Sequence, residues 1–181
     1  MSADAAIEIR RLVGAALHAH VDALAEVLHD CVAGGASVGF MAPFTQADAR
    51  AELDLMVAEV DRGRRLLLAA FADGVLVGTV QVVLVLPPNQ PHRGEITKLL
   101  VHRSARKRGV AERLMRQAET DAVAAGKSLL VLDTVTGDPA ERLYSRLGWT
   151  PVGVIPDYAL YPDGRPCATT VFFKNLVTAS E

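Results

Sequence analysis

The spacing of apolar and polar residues changes along the chain, and each change marks an element. "IEIRRL", from Ile7, alternates apolar and polar positions as a strand does. From about Val21 to Ala33 the apolar residues Val21, Leu24, Leu28 and Val32 recur at helical spacing, and Gly34-Gly35 predicts the stop. Thr45 is the N-cap of a second predicted helix, with Leu53, Met56, Val57 and Val60 on its apolar face and Gly63 at its end. "RLLLAAF" and "VLVGTVQVVLVL" then read as strands joined by Asp73-Gly74, a strong short hairpin signal. The second of these strands is apolar on both faces, which predicts a central place in a sheet, and Pro87-Pro88 breaks it.

The second half opens with the strand "GEITKLLV" and the basic turn "HRSARKRG". A helix follows from about Gly109 to Ala125, its inward face formed by Ala111, Leu114, Met115, Ala118 and Ala122. "SLLVLDT" is a short, apolar strand. Pro139 suits the first position of a helix reaching about Leu147, which carries Tyr144 and ends at Gly148. Two last strands, near "TPVGVI" and "ATTVFFKNL", flank a turn at "PDG". The order β-α-α-β-β-β-α-β-α-β-β predicts a mixed α/β fold, and the absence of repeats or linkers predicts one domain over residues 1–181.

Composition narrows the function. Half of the 181 residues are hydrophobic and 22% are charged, as in a globular protein. A formal net charge of -2 gives no global attraction to nucleic acid or to an anionic membrane. No run of 18 apolar residues exists, and the start "MSADAAIEIRR" lacks the basic-then-apolar order of a signal peptide. Cys31 and Cys167 lie far apart without CxxC spacing, which fits a reducing cytoplasm and two thiols that act as small buried hydrophobes. The five histidines have no ligand spacing, so no metal is expected.

Two glycine-containing turns are candidates for phosphate binding. "GGASVGFMAPF", Gly34 to Phe44, has the first spacing of a P-loop, but Phe40-Met41 stand where Lys-Ser/Thr belongs, and no strand precedes it. "RSARKRGVAERLM" is the better site. A strand ends, a basic turn follows, and a helix begins whose first N–H groups have no internal partner and carry the positive end of the dipole. A diphosphate fits such a place. Gly109 permits close approach of backbone, Ala111 keeps the next position small, and Arg103, Lys107 and Arg108 add positive charge.

Arg106-x-x-Gly109-x-Ala111 after "KLLV" resembles the Q/R-x-x-G-x-G/A acyl-CoA signature of the GNAT N-acetyltransferase superfamily. "AERLYSRLGW" is similar to that family's later segment, with Ala140, Tyr144 and Gly148 followed by an aromatic. The element order agrees over nearly the whole chain. Within the superfamily, "GGASVGFM", "KLLV" with "RSARKRG", "LLVLDT" and "PDGR" are most similar to the tabtoxin-resistance acetyltransferase group.

The resemblance implies a single α/β domain with a mixed, mostly antiparallel sheet of about seven strands and four helices. Two central parallel strands, "EITKLLV" and "SLLVLDT", splay to hold acetyl-CoA as acyl donor. Backbone near Leu99, Leu100 and Val101 pairs with the pantetheine arm, and the amides of Arg106, Lys107, Arg108, Gly109, Val110, Ala111 and Glu112 hold the pyrophosphate. An Asn that commonly precedes the later helix is replaced by Gly137, beside Asp138. The implied activity is N-acetylation of a small amine by direct attack on the thioester, with a CoA-binding sensor as the alternative. Nucleic acid, membrane and metal are not expected partners; a homodimer is compatible with the family.

Tyr144 stands where the family places the acid that protonates the leaving thiolate, and its phenol, with an ordinary pKa of about 10, is protonated at neutral pH. Two carboxylates compete for the base. Glu95 begins the cofactor strand, where some family members carry theirs. Asp133 ends "LLVLDT", an apolar run in which a carboxylate is costly unless bonded. The turn between the first two helices lies on the acceptor side in this fold. Gly35, Ser37, Gly39, Phe40 and Met41 are therefore read either as a wall of the amine pocket or as a close-packed interhelix turn. Tyr158 and Tyr161 are placed in a loop bordering the acceptor.

Overall fold

The structure, a computed structural model, describes residues 6–176. The elements run β1 (Ile7–Arg11), α1 (Gly14–Ala19), α2 (Val21–Ala33), α3 (Gln46–Asp61), β2 (Arg65–Ala72), β3 (Val75–Val83), β4 (Arg93–Val101), α4 (Val110–Ala124), β5 (Leu129–Val135), α5 (Pro139–Arg146), β6 (Thr150–Leu160) and β7 (Pro166–Asn175). A 3-10 turn over Arg103–Ala105 separates β4 from α4.

The local signals act as their chemistry dictates. Thr45 caps α3 in a reciprocal box: its hydroxyl accepts from the Asp48 amide, and the Asp48 carboxylate accepts from the Thr45 amide. Asp73 (φ 51°) and Gly74 (φ 79°) form the two-residue hairpin turn between β2 and β3. At the end of α2, the Gly35 amide donates to the Val32 carbonyl and the Ala36 amide to the Cys31 carbonyl, so the last carbonyls are satisfied by the turn itself.

The seven strands form one sheet in the order β1-β2-β3-β4-β5-β7-β6. All neighbours are antiparallel except β4 and β5. Successive residues of β2 point to opposite faces and feed two cores. Leu66, Leu68 and Ala70 join the core under α4 and α5, whereas Leu67, Ala69 and Phe71 join the one under α2 and α3. Gly78 in β3 lets α4 sit close: a Cβ there would lie 2.9 Å from the Leu100 carbonyl and 3.1 Å from Val110.

Two expectations need correction. There are five helices, not four: α1 is six residues long, buries only Leu17, and is too short to show a period. Strand β6 runs on to Leu160 through two register shifts, so Tyr158 lies in a strand rather than in a loop. No helix among the described residues is long and apolar enough to cross a membrane.

Candidate active site

Strands β4 and β5 pair over only three positions, Arg93 with Leu129, Gly94 with Leu130 and Glu95 with Val131. Beyond Glu95 they part. β4 stays paired with β3 as far as Val101, and β5 stays paired with β7 as far as Val135, so each is held by its other neighbour. The register of β3 against β4 shifts between Thr79 and Gln81, opposite Lys98, whose φ is 51°. This is a bulge, and bulges bend the strand that carries them. The edge of β4 that faces the gap, over Leu99, Leu100 and Val101, has no strand partner, and such an edge is open to an extended molecule with amide groups.

At the far end of β4 the chain turns into α4. Lys107 (φ 63°) and Gly109 (φ 75°) take left-handed backbone, and Gly109 has no side-chain substitute for the missing helical partners. The first intrahelical bond runs from the Arg113 amide to the Gly109 carbonyl, leaving the amides of Val110, Ala111 and Glu112 ahead of the ladder. A Cβ at Gly109 would meet nothing within 4 Å, so space opens beside these amides. Arg106 is exposed, and its Nε donates to the Val101 carbonyl at 3.3 Å. Asp138 occupies the N-cap position of α5 without a side-chain cap bond, and its carboxyl is pushed up by burial, and by Glu141, against the pull of Arg106, so the starts of α4 and α5 sense each other's charge. Arg103 serves a different purpose from a diffuse cation. Its amide and its Nε each donate to buried Asp30 at 2.8 Å, tying the turn to α2. Burial resists ionisation of Asp30, but the bonds from Arg103 and the nearby His102 outweigh it and hold the carboxyl below its usual range.

Tyr144 is buried on α5, its ring 6.1 Å from Trp149 and 5.8 Å from Phe172, centroid to centroid. The Trp149 amide donates to the Tyr144 carbonyl at the helix end, and Trp149 Nε1 donates to Glu119, so the tyrosine's wall is itself fixed. Burial, then the charge of Asp133, push the phenol well above its usual pKa, and it holds its proton at neutral pH. Asp133, accessible from the gap yet crowded by protein elsewhere, has its carboxyl pushed up by burial and by Glu95, against the pull of the Thr169 hydroxyl and Lys98. Glu95 is ion-paired with Arg93 at 2.8 Å. The structure thus brings Asp133, Glu95 and Tyr144 into electrostatic contact around the parting strands.

The turn after α2 is stitched to the rest of the fold. The Ser37 hydroxyl donates to the Leu160 carbonyl at 2.7 Å, and the Ala42 amide donates to Pro162. Lys98 Nζ donates to the Val38 carbonyl and lies 4.8 Å from the centre of the Phe40 ring. Phe40 stacks on Phe44, while Met41 is exposed. Gly35 and Gly39 have φ of 87° and 97°. A hollow of about 240 Å³ beside the turn is lined by Gly35, Ala42, Tyr161 and Arg165 among others.

Sequence reasoning missed Lys98, Arg65, Gln81 and Thr97, which gather on the same face of the sheet as Asp133. Arg65 Nη1 donates to Gln81 Oε1 at 2.5 Å and to Thr97 Oγ1 at 3.3 Å. The one available signal was a lysine interrupting the apolar run of "EITKLLV". No group of three or more His, Cys, Asp or Glu placed to hold a metal ion occurs among the described residues.

The comparisons converge on one fold. An N-acetyltransferase from Staphylococcus aureus superposes with a TM-score of 0.79 at 18% identity, over 95% of this chain and 99% of that one. A protein from Salmonella typhimurium, determined with its cofactor acetyl-CoA, gives 0.78 at 18% identity, over 97% of both chains. A ribosomal-protein-alanine N-acetyltransferase from Brucella melitensis gives 0.77 at 20% identity, over 93% of this chain and 99% of that one. The profile of the acetyltransferase (GNAT) family matches residues 23–149. With that match spanning more than half of the chain, over a seven-stranded sheet parted between β4 and β5, this chain belongs to the GNAT family of acetyltransferases.

Proposed function

We propose that this protein transfers the acetyl group of acetyl-CoA to the amine of a small molecule. The observation that carries the reading is the end of β4–β5 pairing at Glu95–Val131, with the open start of α4 at its far end. The residues present fit the donor. The unpartnered edge of β4 over Leu99, Leu100 and Val101 suits the amides of a pantetheine arm. The amides from Arg106 to Glu112 suit a pyrophosphate, with Arg106, Lys107 and Arg108 adding charge.

When bound, acetyl-CoA supplies a thioester carbonyl open to attack by an amine. An amine is mostly protonated at neutral pH, so a base must accept a proton from it. Asp133 is the candidate we favour over Glu95. Its raised pKa brings it nearer the working pH, whereas a proton accepted by Glu95 breaks the pair with Arg93. In this reading a strand amide near Leu100 stabilises the negative charge that develops on the carbonyl oxygen. Tyr144, held protonated, donates its phenolic proton to the departing sulfur.

The turn from Gly35 to Met41, with Ser37, Gly39 and Phe40, forms a wall of the acceptor pocket in this reading. The acceptor in this reading is a small amine of amino-acid-like or toxin-like chemistry. The reading includes a cytoplasmic protein of one domain over residues 1–181. A homodimer has its support in edge strand β6, where Val152, Val154, Ile155, Tyr158 and Leu160 are exposed.

The test is release of free thiol from acetyl-CoA against a panel of small amines, including amino acids and β-lactam toxins. Amine-dependent release with acetylated product supports transfer. Stabilisation by acetyl-CoA without release from any amine favours a CoA-binding sensor instead.

A further inference from the structure

We propose that Arg65 and Lys98 form an anion subsite that grips a carboxylate of the acceptor while its amine faces Asp133. The substrate class is then a small amino acid or a close analogue bearing both groups. The inference rests on the acetyltransfer reading for the role of the amine, and on geometry for the subsite.

Arg65 and Lys98 are partly buried, and neither has a carboxylate within 4 Å among the described residues. Both hydrogen bonds of Arg65 leave from Nη1, to Gln81 and Thr97. Its Nε is cut off from water and has no acceptor. Nη2 makes no hydrogen bond among the described residues and is not shut off as Nε is, so it is the guanidinium donor left for a ligand.

Lys98 follows Thr97, whose hydroxyl accepts from Arg65, and the Arg65 charge acts on Lys98 directly. Of its three N–H donors, one goes to the Val38 carbonyl. Burial pushes the ammonium below its usual pKa, and Arg65 pushes in the same direction, so the two positive charges repel across a shared space. Glu52 and Asp133 act on Lys98, and Glu59 and Glu95 act on Arg65, only from a distance. Two cations brought together without a paired carboxylate are best satisfied by an anion from outside.

The placement also matches the reaction. A Cβ at Gly39 would lie 3.4 Å from Lys98 Nζ, so the subsite borders the turn assigned to the acceptor wall. Thr97 lies two residues beyond Glu95 on β4, and Asp133 two residues beyond Val131 on β5, so the two start from the last parallel pair. An acceptor held by its carboxylate at Arg65 and Lys98 presents its amine toward the gap.

The test compares matched acceptors, each α-amino acid against its own amide, by thiol release from acetyl-CoA. The amide's amine is the less basic of the two, so a preference for the acid does not arise from easier deprotonation. The native protein is expected to favour acids at least tenfold in kcat/KM. Arg65→Gln is expected to bring the ratio of acid to amide near one, mainly through KM for the acid, and Arg65→Lys to restore part of it. Lys98→Gln is the second variant, with melting temperatures confirming that each protein is folded. Equal use of acids and amides by the native protein overturns the proposal, as does an equal loss for both in folded variants. A separate readout distinguishes this from failure of the acetyltransfer reading. With CoA present, amino acids should raise the melting temperature of the native protein, and should not do so in Arg65→Gln. That result supports the subsite even if no amine is acetylated, and its absence for every acid overturns it.

Discussion

Glu95 and Val131 are the last paired residues of β4 and β5, and the gap opens beyond them. The two strands part while each stays paired on its other side: β4 with β3 on both sides of the bulge at Lys98, which bends it, and β5 with β7 through seven consecutive pairs. The gap therefore belongs to the sheet itself and does not depend on a mobile loop.

Acetyl-CoA at a hundredfold excess over its Kd should raise the melting temperature of the native protein by about 5–10 °C. Gly109→Glu should abolish most of that rise, because a carboxylate placed beside the free amides of α4 repels a pyrophosphate. A side chain at φ 75° is also strained, so the variant should melt lower without ligand. Equal ligand-induced shifts in both proteins, measured by thermal denaturation, overturn the phosphate assignment.

Tyr144→Phe keeps the ring against Trp149 and Phe172 and removes only the hydroxyl. Turnover should fall about 10²–10⁴-fold, the usual contribution of a general acid, while acetyl-CoA affinity stays close to native. Steady-state kinetics together with a binding isotherm separate this outcome from a packing role, which would lower stability and leave kcat near native.

The two carboxylates should differ in their pH behaviour. Asp133→Asn should lose the most turnover, and Glu95→Gln should keep an acidic limb like that of the native protein. The stability effect has the opposite sign. The folded state raises the pKa of Asp133 above its unfolded value of about 3.9, so this group's contribution is fully present below that pH and is lost as pH rises through the folded pKa. Asp133→Asn should therefore melt higher than native at neutral pH, and the advantage should vanish below about pH 3.9. Melting temperatures across a pH series check the sign.

Substitutions in the turn should act on the acceptor alone. Gly39→Val places a side chain at φ 97° and against Lys98 Nζ, and Phe40→Ala removes the ring that covers that ammonium. KM for the amine should rise severalfold in folded variants, with KM for acetyl-CoA near native. A lower melting temperature with unchanged acceptor kinetics makes the turn a packing element only.

Much of this architecture was written in local signals. The Thr45 cap, the Asp73-Gly74 hairpin and the glycine after α2 each act within a few residues, so their spacing could be read directly. Arg106-x-x-Gly109-x-Ala111 was legible for the same reason: strand end, turn and helix start are contiguous in the chain. α1 escaped because six residues with one buried side chain show no period, and the far half of β6 escaped because its bulges break the alternation. The gathering of Arg65, Gln81 and Thr97 spans 16 and 32 residues, and that of Lys98 with Val38 spans 60. Side chains that far apart meet only because strand pairing puts them on one face of the sheet, and strand order is decided by long-range packing. The sequence by itself determined most of the helices and strands and the strand, turn and helix start around Gly109. The tertiary structure decided where β4 and β5 part and which charges face each other there, because both depend on register between distant strands.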